Sequence, residues 1–517
     1  MVNSQLEFVV PADQGFKELI SSLQNAFPIR LQPESVSHRI FYDTVDWLLN
    51  KNGSILEMHE EGQAHRIYWR ANKDAKLKIQ LGLKQVPLLA NELPECEFRQ
   101  QLSAVISVRE LSPRIKIKIK RIPLVLLNKN EKVVVRISLD ENWFYPARTR
   151  AGSLLAKRLC IKPVKGYANE YRQVEAFFRQ MDFRPAQDNM MRLALAESGS
   201  STVERTKKLN LILEPDMSAE RALKEILLRL LEVMQLNTAG SIKGRDTEFM
   251  HDYRVSIRKT RSALALINHV LPPDDIKKYK KFFSGLGKLT NPVRDLDVFL
   301  QKLDIYQREL GKSRQEQLQP LRQYLMANRA VAQKKFVETV KSSQYRQDLG
   351  EWREYLESRD PVNPPLENTE KPVCQLANEL VWDTYKLVLA EGNAITDETE
   401  AEALHELRKS CKELRYLMEF FESLYPARKI RELIKALKEL QDNLGDFNDY
   451  HVHIEILEGF KKDTSDQDAI KACKKLINAL KKKQHTTRNS FAQRYSAFSS
   501  QDNQNEFREL FVESHRG

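Results

Sequence analysis

The chain has 517 residues, of which 41% are hydrophobic and 30% are charged, with 83 Lys and Arg residues against 71 Asp and Glu residues. This length predicts two to four domains, and the composition excludes a chain that is disordered throughout. The net charge of +12 favours a polyanionic partner.

Two further features favour a cytoplasmic protein. No run of 18 apolar residues occurs and residues 1–30 lack a secretory signal pattern, so we expect neither a membrane span nor a membrane partner. The five cysteines are scattered and include no CxxC pair, which argues against a disulfide framework and against a cysteine zinc site. A reducing cytoplasm fits both observations.

Residues 1–197 are predicted to form a domain of strands with two helices, Asp13–Ala26 and Tyr167–Met181. Short apolar runs and two-residue alternation between turn residues indicate the strands. The predicted strands are Leu6–Val10, His38–Tyr42, Ser54–Met58, His65–Arg70, Leu77–Leu83, Cys96–Arg99, Arg114–Ile122, Val133–Leu139 and Arg158–Val164.

One of these strands alternates strictly between isoleucine and lysine over residues 115–120. A period of two places alternate side chains on opposite faces of a strand, so Lys116, Lys118 and Lys120 would share a cationic face. We predict that these lysines and Arg136 hold an anion in the first domain. The alternative is that the lysines simply face solvent.

After a predicted linker at residues 198–214, almost all of the chain has the helical period of 3.6. We predict a first helical bundle at 215–358, a linker at 359–372 and a second bundle at 373–517. The predicted helices are Ala219–Leu236, Glu248–Leu271, Asp274–Leu289, Val293–Leu310, Gln315–Val340, Tyr345–Glu357, Val373–Ala390, Glu400–Tyr425, Ala427–Leu444, Phe447–Phe460 and Ala469–Tyr495.

The two helical series are copies of each other. Without a gap, residues 251–303 align on residues 405–457, and the identities include His251/His405, Arg254/Arg408, Arg261/Arg415, Lys281/Lys435 and Asp295/Asp449. Internal duplication predicts two similar bundles related by a pseudo-twofold axis.

Each copy carries a histidine and three cations at the offsets i, i+3, i+7 and i+10. At about 100° per residue these positions form one narrow stripe of a helix. The first stripe is His251, Arg254, Arg258 and Arg261, and the second is His405, Arg408, Lys412 and Arg415. Like charges at this spacing repel, and a polyanion lying along the stripe would stabilise them.

Other interpretations of the stripes remain open at this point. A single histidine is most often structural, and a cationic stripe can be a solvated face. Two histidines can be metal ligands, but neither stripe has the HxxxH or carboxylate spacing that completes a metal site. The recurrence of the pattern in both copies favours anion binding.

Both stripes resemble the signature helices of the CHAD family, the conserved histidine α-helical domain. Residues 294–298 (Arg-Asp-Leu-Asp-Val) resemble its second signature, and residues 445–449 are a degenerate copy in which Asn448 stands at the position of Arg294. The resemblance covers roughly residues 215–515. It implies two pseudo-symmetric helical bundles with a basic groove that binds inorganic polyphosphate. It assigns binding to His251, Arg254, Arg258, Arg261, His405, Arg408, Lys412 and Arg415, with Lys281, Lys435 and Arg294 as second-tier candidates.

The first domain resembles the CYTH family of triphosphate tunnel proteins over about residues 1–197. The resemblance rests on the order of the elements, on Phe41-Tyr42-Asp43-Thr44 and on residues 137–140 (Ile-Ser-Leu-Asp). It implies an antiparallel β-barrel or tunnel. In an active enzyme of this kind, Mg²⁺ or Mn²⁺ would be the cofactor and its ligands here would be Glu7, Glu95, Glu97 and Asp140.

The departures from the CYTH pattern affect its acidic residues. The opening Glu-x-Glu-x-Lys of the family is replaced at residues 5–9 by Gln-Leu-Glu-Phe-Val. The arginine pair that the family has on the next strand falls on Glu57 and His59. The last predicted strand, Arg158–Val164, has Cys160 and Lys162 where the family has glutamates. Triphosphate hydrolysis needs carboxylates that hold a divalent metal ion. We therefore expect a barrel whose catalytic activity is absent or greatly impaired, with no requirement for a cofactor.

The sequence as a whole predicts a multidomain α+β protein, with an N-terminal antiparallel β-barrel and a C-terminal all-α domain of two helical bundles. The predicted function is binding of inorganic polyphosphate in the cytoplasm, and association with polyphosphate or storage granules follows from family analogy alone. One alternative is a metal-dependent inorganic triphosphatase. The other is a nucleic-acid-binding protein, although no recognised nucleic-acid module is present.

Overall fold

The computed structural model describes residues 6–513 except residues 12, 62–63, 72–76, 82–87, 146–151, 188, 199–208, 210, 311–315, 359–361, 363 and 397. The chain divides into two compact units, Met1–Arg205 and Thr206–Gly517. The first is built on an antiparallel sheet and the second is helical, which confirms the predicted fold class.

The sheet unit is built on antiparallel strand pairs. The strands are β1 (Leu6–Val10), β2 (Ile29–Leu31), β3 (Ser35–Asp43), β4 (Ser54–Glu61), β5 (Ala64–Ala71), β6 (Leu77–Leu81), β7 (Ser112–Leu127), β8 (Val133–Phe144), β9 (Ser153–Pro163) and β10 (Arg184–Pro185). Their order is β10-β1-β9-β8-β7-β3-β4-β5-β6, and β2 pairs with β7. The predicted strands overlap this set with one exception, and residues 82–83 of one prediction lie outside the described residues.

Helices cover both faces of the sheet. The helices of this unit are α1 (Phe16–Ala26), α2 (Leu48–Lys51), α3 (Glu97–Ile106), α4 (Ala168–Gln180) and α5 (Met190–Glu197). Leu23 of α1 and Phe178 of α4 pack with Phe8 of β1 in one apolar cluster. On the other face, Met190 of α5 packs in a cluster with Ile117 of β7.

The prediction of a strand at Cys96–Arg99 is wrong, because these residues begin α3. Phe98, Leu102 and Ile106 recur every four residues and are all buried, as one face of a helix requires. A window of four residues is too short to separate this helical period from an alternating strand.

The helical unit begins with well-capped helices. The side chains of Ser218 and Asp246 accept hydrogen bonds from backbone N–H groups in the first turns of two of these helices. Gly244 ends the first helix with a φ of +67°, a conformation that favours glycine. The helices are α6 (Ala219–Lys243), α7 (Thr247–Leu266), α8 (Pro273–Leu310), α9 (Gln319–Lys341), α10 (Ser343–Glu357), α11 (Val373–Asn393), α12 (Ala401–Phe420), α13 (Ala427–Asp463), α14 (Gln467–Asn489), α15 (Phe491–Phe498) and α16 (Gln501–Arg508).

Two helices are longer than predicted. We expected breaks near residues 290–292 and 445–446, but α8 continues through Pro292 and α13 continues through Gly445. Proline removes one backbone hydrogen bond from a helix. Leu286 and Val293, on either side of it, are buried in the core and hold the helix together.

The two helical series share one core. A single apolar cluster contains Leu227 and Tyr253 from the first series and Leu407 and Leu437 from the second. In the segment predicted as a linker at 359–372, the described residues pack against the start of α6, where the backbone N–H of Ala219 donates to Lys371. None of the helices in the described part of the chain is both long and apolar enough to cross a membrane.

Candidate functional site

The first stripe lies on α7 at the edge of the shared core. Tyr253 and Ile257 are buried, whereas Arg254 and Arg258, which follow each of them by one residue, are partly buried. They are one turn apart, so their guanidinium groups emerge on the same side of the helix.

The second stripe, on α12, meets the first. Burial, together with the positive charges of Arg258, Arg408, Arg254 and Arg415, lowers the pKa of Lys412 to about 6. A lysine normally titrates near 10.5, and burial is the largest cause of the shift. The arginines that lower the pKa further belong to both copies, so cations of both stripes lie close to this ammonium group. We call Arg254, Arg258, Arg408, Lys412 and Arg415 the cation cluster.

The arginines of the cation cluster have unmet hydrogen-bonding capacity. The Nε atoms of Arg254, Arg258, Arg408 and Arg415 are buried and have no hydrogen-bond partner among the described residues. The Nε atom of Arg415 nevertheless lies 3.5 Å from a carboxylate oxygen of Glu419 and forms an ion pair with it. A buried polar group without a partner costs about 1–3 kcal/mol, more when charged, so a ligand with acceptor oxygens would gain here.

Tyr416 supports the cation cluster and was missed by the sequence reasoning. Its side chain is buried, and the guanidinium groups of Arg258 and Arg415 lie 5.6 and 5.5 Å from its ring centroid. Cations are attracted to the face of an aromatic ring. The ring therefore holds arginines from both copies in place while leaving their N–H donors available.

Two aspartates also face the cation cluster. Burial raises the pKa of Asp295, against the opposing effect of Arg254, Arg294 and Arg408, and Asp449 lies close enough to raise it further. Even with Glu419, which pairs with Arg415, these carboxylates are fewer than the four arginines of the cation cluster, so the cluster keeps an excess of positive charge. Asp295 and Asp449 occupy equivalent positions in the alignment of the two copies, but the sequence analysis predicted no role for them.

In the second copy, Asn448, which departs from the family pattern, contacts the histidine of the stripe. The Nδ1 atom of His405 lies 3.2 Å from the Oδ1 atom of Asn448. In the first copy the equivalent residue, Arg294, lies 3.9 Å from a carboxylate oxygen of Glu248. His251 is partly buried on α7. At the position that Arg294 has in the first copy, the second copy therefore has an uncharged side chain that orients the His405 ring.

Besides the two histidines and Arg294, three further predicted groove residues lie outside the cation cluster. Arg261 is exposed and lies beside Gly287, where an added Cβ would come within 3.1 Å of its guanidinium. Lys281 lines a separate cavity, and Lys435 is exposed on α13. The helical period correctly predicts the face of each helix, but it does not predict which faces meet.

The predicted anion site of the sheet unit is not assembled on one face. Arg136 pairs across the strands with Val125, and cross-strand partners point to the same face. Val125 is separated from Lys116, Lys118 and Lys120 by odd numbers of residues, which places these three lysines on the opposite face. Arg136 therefore does not share a face with the three lysines, a separation that follows from strand register and was not foreseen from the sequence.

The predicted metal ligands fit a divalent ion poorly, because two of them are held by arginines. Asp140 is buried and accepts two hydrogen bonds of 2.8 Å from Arg121. Glu7 lies 3.4 Å from Arg158, whose side chain is buried. A carboxylate paired with a guanidinium has few lone pairs left for a metal ion.

The other two predicted ligands lie elsewhere. Glu95 precedes α3 and Glu97 begins it, both are exposed, and Glu97 accepts a hydrogen bond from Gln101 on the same helix. Across the described residues, no group of three or more His, Cys, Asp or Glu side chains is placed to hold a metal ion. The described structure therefore does not bring together Glu7, Glu95, Glu97 and Asp140, the ligands expected only if the domain were an active enzyme.

A buried ion network occupies the sheet near β4 instead. Glu57 lies 2.6 Å from Arg70 and 3.3 Å from Arg39, and His59 is 3.4 Å away. Burial by itself opposes ionisation of Glu57, but Arg39, His59 and Arg70 outweigh it and hold the pKa of Glu57 at about 2. This carboxylate is therefore ionised at neutral pH and neutralises the cations around it.

Replacing Glu57 by glutamine should destabilise the sheet unit strongly. The change leaves Arg39 and Arg70 without their counter-charge, and breaking a buried ion pair costs about 3–5 kcal/mol. Chemical denaturation at pH 7 measures the effect. Glu60→Gln, on the same strand but one-quarter exposed, is the control and should cost less than about 1 kcal/mol. Equal costs for the two variants would contradict a structural role for the network.

The comparisons with known proteins agree with the helical geometry. Residues 225–458 match the CHAD domain family model. The chain matches no curated protein. Among solved structures, the CHAD domain from the plant Ricinus communis is similar at 25% identity with a TM-score of 0.48, over 56% of this chain and 94% of that one. PptA from Streptomyces chartreusis is similar at 14% identity with a TM-score of 0.44, over 54% of this chain and 100% of that one.

A third similar structure is a putative adenylyl cyclase from Hippeastrum, described as having a dominant triphosphatase activity. It is similar at 9% identity with a TM-score of 0.27, over 39% of this chain and 99% of that one. Residues 225–458, within the helical unit, therefore match the CHAD domain family, and an antiparallel sheet unit precedes them in the chain.

Proposed function

We propose that the helical unit binds inorganic polyphosphate through the cation cluster. The observation that carries the proposal is the meeting of cations from both copies of the duplication. The buried Nε atoms of Arg254, Arg258 and Arg408 have no hydrogen-bond partner among the described residues. Each Nε–H can donate to a phosphate oxygen, and arginine presents its donors in a fork that suits phosphate geometry.

A linear polyanion suits this arrangement better than a single small anion. On α12, Arg408 and Arg415 are seven residues apart, which at 1.5 Å per residue is about 10 Å along the helix. One phosphate group cannot span that distance. A chain with about one charge per phosphate would pass each cation in turn, and it offers no base edges that would require sequence-specific contacts.

The alternative of nucleic-acid binding uses the same charges but needs additional features. Single-stranded nucleic acids bind through aromatic rings on which bases stack. Tyr416, the aromatic ring in the cation cluster, is buried and already contacts Arg258 and Arg415. Competition at fixed salt between labelled single-stranded DNA and long-chain polyphosphate separates the two ligands, and polyphosphate should displace the DNA.

The proposal is tested by titrating the full chain with long-chain polyphosphate, with and without Mg²⁺, while free phosphate is measured. We expect tight binding that weakens linearly with the logarithm of salt concentration, because neutralised phosphates release counterions. We expect no release of phosphate, since the predicted metal ligands are paired with arginines or lie apart. Mg²⁺-dependent hydrolysis of tripolyphosphate that Asp140→Asn abolishes would instead establish the triphosphatase alternative.

The cellular setting forms part of the proposal. A protein of this charge that binds polyphosphate would act in the cytoplasm, where polyphosphate or storage granules would be its site of association. Fluorescence microscopy of the tagged chain, with and without cellular polyphosphate, tests this localisation.

A further inference from the structure

A cavity lies in the helical unit, apart from the cation cluster. It has a volume of about 770 Å³, lies between α8, α9 and the start of α10, and is lined by none of the cluster residues. Its walls include the rings of Tyr279, Phe282 and Tyr345 and the side chains of Leu286 and Leu289. This volume and this mainly apolar lining are typical of small-molecule sites.

The opening of the cavity is cationic. Lys278, Lys281, Lys288 and Lys335 line it, against a single carboxylate, that of Asp348. Lys278 is already paired with Glu351, at 2.9 Å. The other three lysines are exposed and form no ion pair with the described residues. The cavity therefore combines an apolar interior with free positive charge at its edge.

The sequence of α8 explains this combination. Lys281, Gly285, Lys288 and Pro292 have offsets of 0, 4, 7 and 11, which places them on one face of the helix. A Cβ atom at Gly285 would meet nothing within 4 Å, so this glycine leaves space at the cavity. The missing side chain keeps the apolar floor accessible between two lysines.

We propose that this cavity binds a small amphipathic anion. Its apolar acyl or aromatic body would lie on Phe282, Leu286 and Leu289, and its single anionic head would contact Lys281 and Lys288. Polyphosphate has no apolar part and does not suit this floor, so the ligand differs in class from that of the cation cluster. The shared chemistry is an apolar body with a carboxylate, sulfonate or phosphate head.

The probe for this site is 1-anilinonaphthalene-8-sulfonate, an aromatic body with one sulfonate whose fluorescence rises in apolar surroundings. Gly285→Leu fills the cavity and should weaken binding of the probe to the full chain at least tenfold. The change replaces a helical glycine by a better helix former, so folding should be retained. Gly350→Leu is the matched control, because Gly350 also lies in a helix with open space around it but outside the cavity.

The lysines are tested with a second pair of measurements. Lys281→Gln combined with Lys288→Gln should weaken binding of the sulfonate probe about five- to tenfold and leave binding of N-phenyl-1-naphthylamine, its neutral analogue, unchanged. Arg254→Gln combined with Arg408→Gln should leave binding of the sulfonate probe unchanged, which separates this site from the polyphosphate site. Displacement of the probe by dodecanoate or by dodecyl phosphate identifies the preferred head group.

Three outcomes would overturn the proposal. One is equal binding of the probe by the original chain and by Gly285→Leu. Another is an equal loss of binding in Gly350→Leu. The third is displacement of the probe by an acidic amphipathic peptide but by neither dodecyl anion, which would make the cavity a protein-docking surface.

Discussion

Replacing Arg254 and Arg408 together by glutamine should weaken binding of long-chain polyphosphate by about 100-fold or more. These two arginines are equivalent positions of the duplication, and each has a buried Nε atom without a partner among the described residues. A hydrogen bond to a charged group contributes about 1.5–3 kcal/mol, and two such contacts would be lost. The slope of log affinity against log salt should become shallower by about 1.4, because two phosphates are no longer neutralised.

The stability of the double variant makes this prediction specific. The cations of the cluster repel one another, since burial and Arg258 lower the pKa of Arg254 to about 10. Removing two of them should leave the melting temperature of the free protein unchanged or raise it, even though binding is lost. The control is Lys481→Gln with Lys482→Gln, an exposed pair on α14, which should reduce affinity only slightly. Equal losses in both double variants would show that binding is a diffuse effect of net charge.

Affinity for polyphosphate should fall as pH rises above about 6, by up to about tenfold per pH unit. Burial and Arg258 lower the pKa of Lys412 to about 6 in the free protein, so at neutral pH this side chain is mostly uncharged. A bound polyanion favours the ammonium form and raises this pKa. Binding therefore takes up a proton between the free and the bound pKa, and each step to higher pH makes that uptake less favourable. Titrations between pH 6 and 8.5 at constant ionic strength measure the slope.

Stability of the free protein should respond to pH in the opposite direction. The folded pKa of Lys412 lies below its ordinary value of 10.5, so the unfolded chain binds more protons over this window. The contribution of Lys412 therefore stabilises the fold as pH rises from 6 and is lost as pH falls back towards 6. Thermal melts of the free protein over the same pH range measure this trend.

Two substitutions at Lys412 distinguish its titration from that of other groups, including the terminal phosphates of polyphosphate. Lys412→Arg keeps a charge at every pH, because a guanidinium is not deprotonated in this range. It should flatten the pH dependence and bind polyphosphate more tightly than the original chain at pH 8. Lys412→Met should also flatten the dependence but bind weakly throughout. A slope unchanged by both substitutions would exclude Lys412 as the titrating group.

The sequence by itself determined the local features of this protein. The helical period placed Arg254 with Arg258, and Arg408 with Lys412 and Arg415, on common helix faces, because 3.6 residues per turn is a property of the backbone. The alternation at residues 115–120 correctly separated isoleucines from lysines in β7 for the same kind of reason. The duplication was visible because both copies are present in one chain.

The tertiary structure alone decided which of these faces meet. Register put Arg136 on the face of the sheet opposite Lys118, since a shift of one residue exchanges the faces of a strand. The packing of α7 against α12 brought the two stripes together and added Tyr416, while Lys281 was directed to a different cavity. The meeting of the two stripes depends on contacts between residues more than 100 positions apart, as between Arg258 and Tyr416. Periodicity describes a single element and does not describe which elements pack against it.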